Sequence, residues 1–497
     1  MTRKQIRMHY SGFIIFVSKL ITLITGITFT LMVANSLSQN EYGIWGIFNV
    51  TIIPNFTVLS SAVSFWAMRF VAREKEGATK TGIIANMTLA LIVTLIYLAL
   101  LPVITTAFGL GNYLLIYVVA AAQVIETYLI SVLEACLQAQ QPHFVGYGLL
   151  VGELCKVLLA YVFIMRLGLG LLGVILSIVI AFAVKIAFYL KSVMLELRQK
   201  AVLGYMKEWL KGSAFNIYSI IGDRIASIIF TMLTIYGLEI GTGYYYAALQ
   251  IANIITYSAF LAFALQPKLL AENNIDEATV SLKMVLMFAV PMTAGVLAIP
   301  SSYLMFLKES MEYVPATPVL VILAFDALIM TISSIFTYVL YGIEKVDEKA
   351  EIPFRQVIRS RLFIAFSLPY AHALVTLPTA FYALNYLANN NPQLVATYVT
   401  AINTVGHLAM FIVLYSVLRK AVKVKIPWKS IGKYVAASSV MAFVLFLVHP
   451  ARRSTTLIMT AVGSMVYLGL LLAFDKETRA LARTIWQVGT SKLRREA

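Results

Sequence analysis

Long apolar runs separated by short polar connections dominate the pattern of this chain. A helix needs about 20 apolar residues to cross the roughly 30 Å hydrocarbon layer of a membrane, and about fourteen of the runs are long enough to do so. The pattern therefore predicts an all-α, polytopic membrane protein. The predicted helices span residues 8–35, 42–69, 82–108, 111–137, 144–166, 169–191, 212–237, 242–267, 281–307, 315–342, 357–385, 394–418, 430–449 and 454–474.

The composition agrees with a membrane protein. Of the 497 residues, 60% are hydrophobic and only 12% are charged, and the mean hydropathy is +0.84, outside the range of soluble domains. The formal net charge of +16 lies in short loops, where it reflects orientation and contact with anionic lipids, so we expect membrane lipids and no nucleic acid as partners. Cys136 and Cys155 lie inside apolar runs and predict neither a disulfide nor a metal site.

The basic residues also predict the topology. Most of the 39 Lys and Arg residues fall in alternate connections and in the two tails. The remaining loops hold Arg166, Lys308, Arg452 and Arg453. Positive charge accumulates on the cytoplasmic side of membrane proteins. We therefore expect an even number of helices in the cell (plasma or inner) membrane, with both termini in the cytoplasm.

Charged residues inside the apolar runs are the candidates for function. Asp223 and Arg224 lie about a dozen residues inside a helix, and Lys19 and Asp326 lie near the middle of theirs. A central Arg costs about 2.5 to 3.5 kcal/mol on insertion scales, a cost usually met where a charged ligand passes. A buried ion pair that only locks helices together is the alternative interpretation.

A second group of charges lies around a predicted helical hairpin. Glu126 and Lys156 are about equally far from the turn near Gln140, so the sequence predicts that they pair, and Glu153 and Lys156 are also i,i+3 neighbours. This network is either structural or ion-binding. Together with Asp223 and Asp326, its carboxylates are the candidate sites for a coupling cation, H+ or Na+.

The chain resembles itself at an offset of about 200 residues. "NEYGIWGIFNVTII" at 40–53 aligns with "IGTGYYYAALQIANII" at 240–255, which places Gly43 on Gly243. Polar positions follow in both copies, Asn49 and Asn55 in one and Gln250 and Asn253 in the other. The predicted domains are an N-lobe of helices 1–6 at 1–191, an interfacial cytoplasmic linker helix at 192–211, a C-lobe of helices 7–12 at 212–425, helices 13 and 14 at 426–475 and a basic cytoplasmic tail at 476–497.

Several stretches carry a resemblance to a known family. "MVANSLSQNEYGIWGIF", "SSAVSFWAMRFVAREKEGA" and "IGDRIASIIF" followed by "GTGYYYAALQIANI" resemble the Wzx-type polysaccharide transporters of the multidrug/oligosaccharidyl-lipid/polysaccharide (MOP) exporter superfamily. The resemblance implies a V-shaped pair of six-helix lobes related by a pseudo-twofold axis. It also implies alternating access, in which a cationic central cavity takes a polyprenyl-linked glycan from the inner leaflet and releases it outside.

The resemblance also implies site residues. The family's interior basic residues match Lys19 and Arg224 by role and by position in the first helix of each lobe, although Gly43 lies 24 residues after Lys19 and Gly243 only 19 after Arg224. A lipid-linked phosphate needs cations at depth, and Arg224 offers a planar fork while Lys19 offers a mobile point charge. The glycan is expected to meet the amides of helices 2 and 8, Asn49, Asn55, Gln250 and Asn253.

Other function classes are less consistent with the sequence. There is no G-x-x-x-x-G-K-[ST] motif, so we expect an ion gradient or the membrane potential to drive transport. No catalytic constellation, metal site or cofactor is expected, and the protein is expected to be a monomer. The alternatives are a lipid II flippase, a MATE-type multidrug antiporter and an assembly scaffold. The histidines are scattered and are expected to pack singly: His9, His143, His372, His407 and His449.

Overall fold

The computed structural model describes residues 3–37, 41, 44–45, 47–107, 113–272, 274–307, 311–346, 348, 352–388, 391–475 and 478–479. All regular structure within these ranges is helical. Thirteen stretches in this part of the chain are long and apolar enough to cross a membrane. The predicted all-α fold of a multi-pass membrane protein is therefore confirmed. Gly43 and nearly all of the predicted tail at 476–497 lie outside the described residues.

The first part of the chain forms six helices longer than two turns, which we call the amino-terminal set. In this set α1 packs along α5, and α4 contacts α2, α3 and α6. The bounds are α1 Arg3–Ser36, α2 Ser60–Ala72, α3 Ala78–Ala107, α4 Leu114–Gln140, α5 Pro142–Ala160 and α6 Gly170–Ser192.

The remaining helices, which we call the carboxy-terminal set, pack mainly on one another. Here α8 and α12 pack on α15, α14 lies between α7 and α15, and α16 joins α10 to α17. Their bounds are α7 Leu203–Ala226, α8 Ile228–Thr256, α9 Leu265–Glu272, α10 Asp276–Ala298, α11 Pro300–Leu307, α12 Thr317–Ile343, α13 Phe354–Arg359, α14 Arg361–Tyr386, α15 Pro392–Ala421, α16 Trp428–Val448 and α17 Arg453–Phe474.

The long helix α8 reverses direction within its length. The rings of Phe230 and Tyr245 have their centroids 5.1 Å apart. On a straight helix these residues would be about 22 Å apart, so the chain must turn back between them. The sequence predicts the same reversal, between the helices at 212–237 and 242–267. Residues 203–211, expected in a separate linker helix, form the first turns of α7, and the domain boundaries stay predictions.

The predicted second helix, 42–69, is interrupted. A π-helical segment at Ile47–Ile52 leads into one turn of α-helix at Ile53–Thr57, and α2 begins at Ser60.

Neighbouring side chains satisfy the backbone groups that this interruption frees. Pro54 has no N–H to donate, which weakens the helix at this point. The Tyr128 hydroxyl donates to the Phe56 carbonyl at 3.1 Å, and the Asn86 amide donates to the Ser60 carbonyl at 3.2 Å. Backbone groups inside a membrane must find such partners because no water is available.

The two sets are joined through the end of α2. The Arg69 guanidinium donates to the carbonyls of Tyr341 and Glu344, and Arg73 donates to the Glu344 carbonyl at 3.0 Å. We call these contacts the latch. Arg69 is fully buried. Because α12 ends at Ile343, the acceptors belong to the partly negative end of that helix, where carbonyls lack helical partners.

Further contacts between the sets lie on the same side of the bundle, the side at which α1 begins. Trp66 Nε1 donates to Asn216 Oδ1 at 2.7 Å, and the Gln138 amide donates to the Phe263 carbonyl at 2.7 Å. These contacts and the latch hold the two sets together on that side.

Replacing Arg69 with Met should destabilise the protein, because it leaves the Tyr341 carbonyl without its donor and the Glu344 carbonyl with Arg73 as its remaining donor. Each unsatisfied group costs about 1 to 3 kcal/mol. The midpoint of thermal unfolding in detergent should fall clearly below that of the wild type. Arg166→Met, at an exposed arginine, is the matched control and should unfold like the wild type. Equal midpoints for the two variants would contradict the assigned role of the latch.

Candidate functional site

Lys19 lies at the boundary between the two helix sets. It is half-buried near the middle of α1, and its Nζ stands 4.6 Å from the ring centroid of Phe260, in the carboxy-terminal set. No carboxylate in the described ranges comes within the 4.0 Å of an ion pair. A cation–π contact contributes about 0.5 to 2 kcal/mol, which does not replace a counter-ion. Lys19 is therefore a half-buried cation without an ion-pair partner among the described residues.

The other two lysines inside the amino-terminal set are neutralised. Lys185 Nζ lies 2.7 Å from Glu134 Oε1, and Lys156 Nζ lies 2.7 Å from Glu153 Oε2. Glu134, Lys185 and Glu153 also act electrostatically on Lys19. The three lysines and two glutamates therefore form one neighbourhood in which one positive charge, that of Lys19, is left over.

This arrangement corrects one prediction. The expected pair between Glu126 and Lys156 is absent, because Lys156 pairs with its i,i+3 neighbour Glu153. Glu126 is buried on α4, and its Oε2 finds no hydrogen-bond donor among the described residues.

Arg224 is a second cation that makes no ion pair with the part of the chain described here. Both Asp223 and Arg224 are exposed on α7. The neighbouring Gly222 is the buried contact with α14, where a Cβ would lie 2.7 Å from the Tyr370 ring. The side chains of Asp223 and Arg224 therefore project from α7 next to the face that packs on α14.

The four predicted amides are all exposed: Asn49, Asn55, Gln250 and Asn253. Gln250 and Asn253 are three residues apart and therefore share one face of α8. Hydrocarbon offers no hydrogen bonds, so an exposed amide on a membrane helix is stable where it meets water or polar ligand groups. This face of α8 is consistent with a wet cavity.

Asp326 belongs to a cluster that the sequence did not reveal. Its Oδ1 lies 2.8 Å from His407 Nδ1, and the His407 ring stacks on that of His372 with centroids 5.0 Å apart. Asp326 and His372 are buried. The three residues lie near the middle of α12, α15 and α14. The expectation that these histidines pack singly is therefore wrong. In the sequence, these three residues lie at a similar depth in three apolar runs, and this similarity was the signal that they could meet.

Two apolar cavities open on the carboxy-terminal set. One, of about 350 Å³, lies between α1, α8, α10, α16 and α17 and includes Phe16, Leu20 and Tyr467 in its wall. The other is a groove of about 410 Å³ between α14 and α15, and His372 forms part of its wall. Both are lined almost entirely by hydrocarbon side chains, which suits lipid chains better than a sugar.

Solved structures of membrane transporters share this fold. A MOP superfamily transporter from Pyrococcus furiosus Vc1 superposes with a TM-score of 0.67 at 14% identity, covering 84% of this chain and 98% of that one. An outward-facing MATE family multidrug transporter superposes with a TM-score of 0.66 at 14% identity, covering 85% and 98%. The lipid II flippase MurJ, in an inward closed conformation, superposes with a TM-score of 0.59 at 15% identity, covering 93% and 98%.

No protein-family model and no curated protein matches the sequence. The structural likeness therefore establishes the fold of the MOP superfamily transporters for this chain. The similar structures are transporters and a flippase, not enzymes. The finer Wzx-type assignment rests on the sequence resemblance.

Asn253→Cys, in a background with Cys136 and Cys155 replaced by Ala, should react with a charged, membrane-impermeant thiol reagent. Only a thiol that meets water ionises to the reactive thiolate. Leu374→Cys is the control, because Leu374 is 77% exposed but belongs to an apolar helix surface. Labelling of purified protein in nanodiscs, followed by mass spectrometry, should modify position 253 and leave 374 unmodified. Modification of position 374 without modification of position 253 would contradict the hydrated face of α8.

Proposed function

We propose that this protein is a Wzx-type flippase, which moves a polyprenyl-(pyro)phosphate-linked oligosaccharide from the inner to the outer leaflet of the cell membrane. Lys19 and Arg224 bind the phosphate, and Asn49, Asn55, Gln250 and Asn253 contact the glycan. Both termini lie in the cytoplasm, and the protein acts as a monomer. The observation that carries the proposal is the uncompensated charge of Lys19 at the boundary of the two helix sets.

The chemistry of the ligand explains why such a cation is needed. A phosphate cannot enter hydrocarbon without counter-charges, and a buried ammonium without an anion is equally unfavourable. Binding of the phosphate supplies the anion that the ammonium lacks and the counter-charge that the phosphate needs. Arg224 adds a bidentate fork for phosphate oxygens, whereas Lys19 acts as a point charge. A cationic drug would be repelled by the same two residues, which argues against a MATE-type multidrug antiporter.

Alternating access provides the route across the membrane. The latch closes the side at which α1 begins, which in this proposal is the cytoplasmic side. Hydrogen bonds to a charged donor contribute about 1.5 to 3 kcal/mol each, so opening this side costs several kcal/mol unless new contacts replace them. One elementary charge crossing 100 mV supplies about 2.3 kcal/mol. This is less than the cost of breaking the whole latch, so new contacts must replace part of it. An ion gradient or the membrane potential supplies the rest in this proposal, with Asp223, Asp326, Glu126 and the Glu153–Lys156 pair as candidate ion-binding groups.

A lipid II flippase is the second candidate. The superposition on MurJ covers 93% of this chain, whereas that on the MATE family transporter covers 85%. Lipid II also carries a pyrophosphate, so Lys19 and Arg224 would serve both substrates. The two candidates differ in the glycan.

Charge reversal tests the phosphate site. Lys19→Glu and Arg224→Glu should each reduce translocation in proteoliposomes by about 10-fold to 100-fold, because each removes a charged hydrogen bond worth about 1.5 to 3 kcal/mol. Arg224→Lys keeps the positive charge and should reduce translocation less than Arg224→Glu does. Arg452→Glu reverses an exposed arginine and serves as the control.

The same assay distinguishes the candidates. Wild-type protein should move a fluorescent polyprenyl pyrophosphate-linked neutral oligosaccharide faster than lipid II. Preference for lipid II would favour the second candidate. Full activity of both charge-reversed variants would contradict phosphate binding by Lys19 and Arg224.

A further inference from the structure

We propose that Asp326, His407 and His372 form a proton-binding site at the middle of the membrane, and that H+ rather than Na+ is the coupling ion. The inference rests on the proposed function for its role in transport, whereas the site itself is argued from the geometry of the carboxy-terminal set. Three different helices, α12, α14 and α15, bring the three side chains together.

The bond between Asp326 and His407 defines where a proton binds. With Asp326 ionised, the 2.8 Å contact between its Oδ1 and His407 Nδ1 requires the ring to donate the Nδ1 proton. The ring nitrogen Nε2 then remains free to accept a second proton. Uptake there converts a carboxylate and a neutral imidazole into a carboxylate and an imidazolium. The pair then has no net charge, whereas without the proton it leaves one negative charge at middle depth.

No other cation neutralises Asp326. Among the described residues its single ion-pair partner is His407, and no lysine or arginine comes within ion-pair distance. The titratable group that interacts with it from α8 is Tyr245, whose hydroxyl supplies no positive charge. The charge of this carboxylate is therefore balanced only when His407 carries a proton.

The ligand chemistry favours H+ over Na+. Hard cations such as Na+ need several oxygen ligands, and imidazole nitrogen is a poor ligand for them. The cluster offers one carboxylate, and one of its oxygens already accepts from His407.

His372 positions His407 and limits the site to one proton. Its ring lies nearly parallel to that of His407, at 22°, and its Nε2 lies 3.5 Å from the Asn403 carbonyl. Two imidazolium rings at this separation would repel each other. Gly406 makes the stacking possible, because a Cβ there would lie 2.5 Å from His372 Cδ2.

The proton site can be tested without any transport substrate, since the chain has only five histidines. The protein is labelled with ¹⁵N at histidine, reconstituted in nanodiscs and followed by solid-state NMR between pH 5 and 9. The signal absent in His407→Gln identifies His407. We expect Asp326→Asn to change the ¹⁵N chemical shift of this signal and its response to pH, because the His407 ring loses its charged hydrogen-bond partner. His449→Gln, which removes an exposed histidine, should leave the His407 signal unchanged.

Transport supplies the second measurement. Proteoliposomes containing polyprenyl pyrophosphate-linked oligosaccharide are given an H+ gradient or a Na+ gradient. The H+ gradient alone should accelerate the wild type, and both His407→Gln and Asp326→Asn should lose that acceleration while still binding the glycolipid. His449→Gln should behave as the wild type. Gly406→Ala, which displaces His372, should weaken the response to H+.

The two measurements separate the possible failures. A His407 signal that does not respond to Asp326→Asn overturns the proton site, whatever the transport result. A normal NMR result with transport driven only by Na+ overturns H+ as the coupling ion. If the wild type transports nothing, the proposed function fails, and the NMR experiment still decides whether the site binds a proton. Variants whose unfolding midpoint equals that of the wild type qualify for both measurements.

Discussion

The structure depends on one constraint, that a charge inside hydrocarbon must meet an opposite charge, water or a ligand. The pairs Lys185–Glu134 and Lys156–Glu153 meet it within the helices, and the pair Asp326–His407 meets it when His407 carries a proton. Lys19 and Arg224 have no such partner in the described part of the chain. The paired groups can hold helices together without any ligand. The unpaired cations cannot be explained by packing, which is why they support an anionic substrate.

The same constraint acts on the backbone. Where a helix is interrupted or ends, its carbonyl groups need donors from elsewhere. Tyr128 and Asn86 supply them permanently at the interruption before α2. Arg69 supplies them between the two helix sets, at the end of α12. The donor and the acceptors of the Arg69 contacts belong to different helix sets and lie near a membrane surface. These hydrogen bonds can therefore be exchanged for bonds to water when the two sets separate.

The sequence predicts well how deep a residue lies in the membrane, but it predicts poorly which residues of other helices it contacts. Apolar run lengths suffice for the helices and for the depth of Lys19 and Asp326, because residues rise along a helix at a fixed rate. Which helices touch depends on packing across the whole bundle, so the pairing of Lys156 with Glu153 instead of Glu126, and the meeting of His372 with His407, required the structure. The lobe boundaries and the assignment of site residues stay predictions.

Helix α12 links the proton site to the latch, and the magnitudes indicate how. Asp326 and Tyr341 are separated by about 22 Å along this helix. Over that distance two unit charges interact by only about 0.8 kcal/mol at an effective dielectric constant of 20. The latch bonds are worth more, about 1.5 to 3 kcal/mol each. Protonation of the His407–Asp326 pair therefore cannot open the latch through its field alone. In the proposed mechanism, protonation would therefore act through the packing of α12 against α15, and the helix would move as a rigid body and carry its terminal carbonyls away from Arg69.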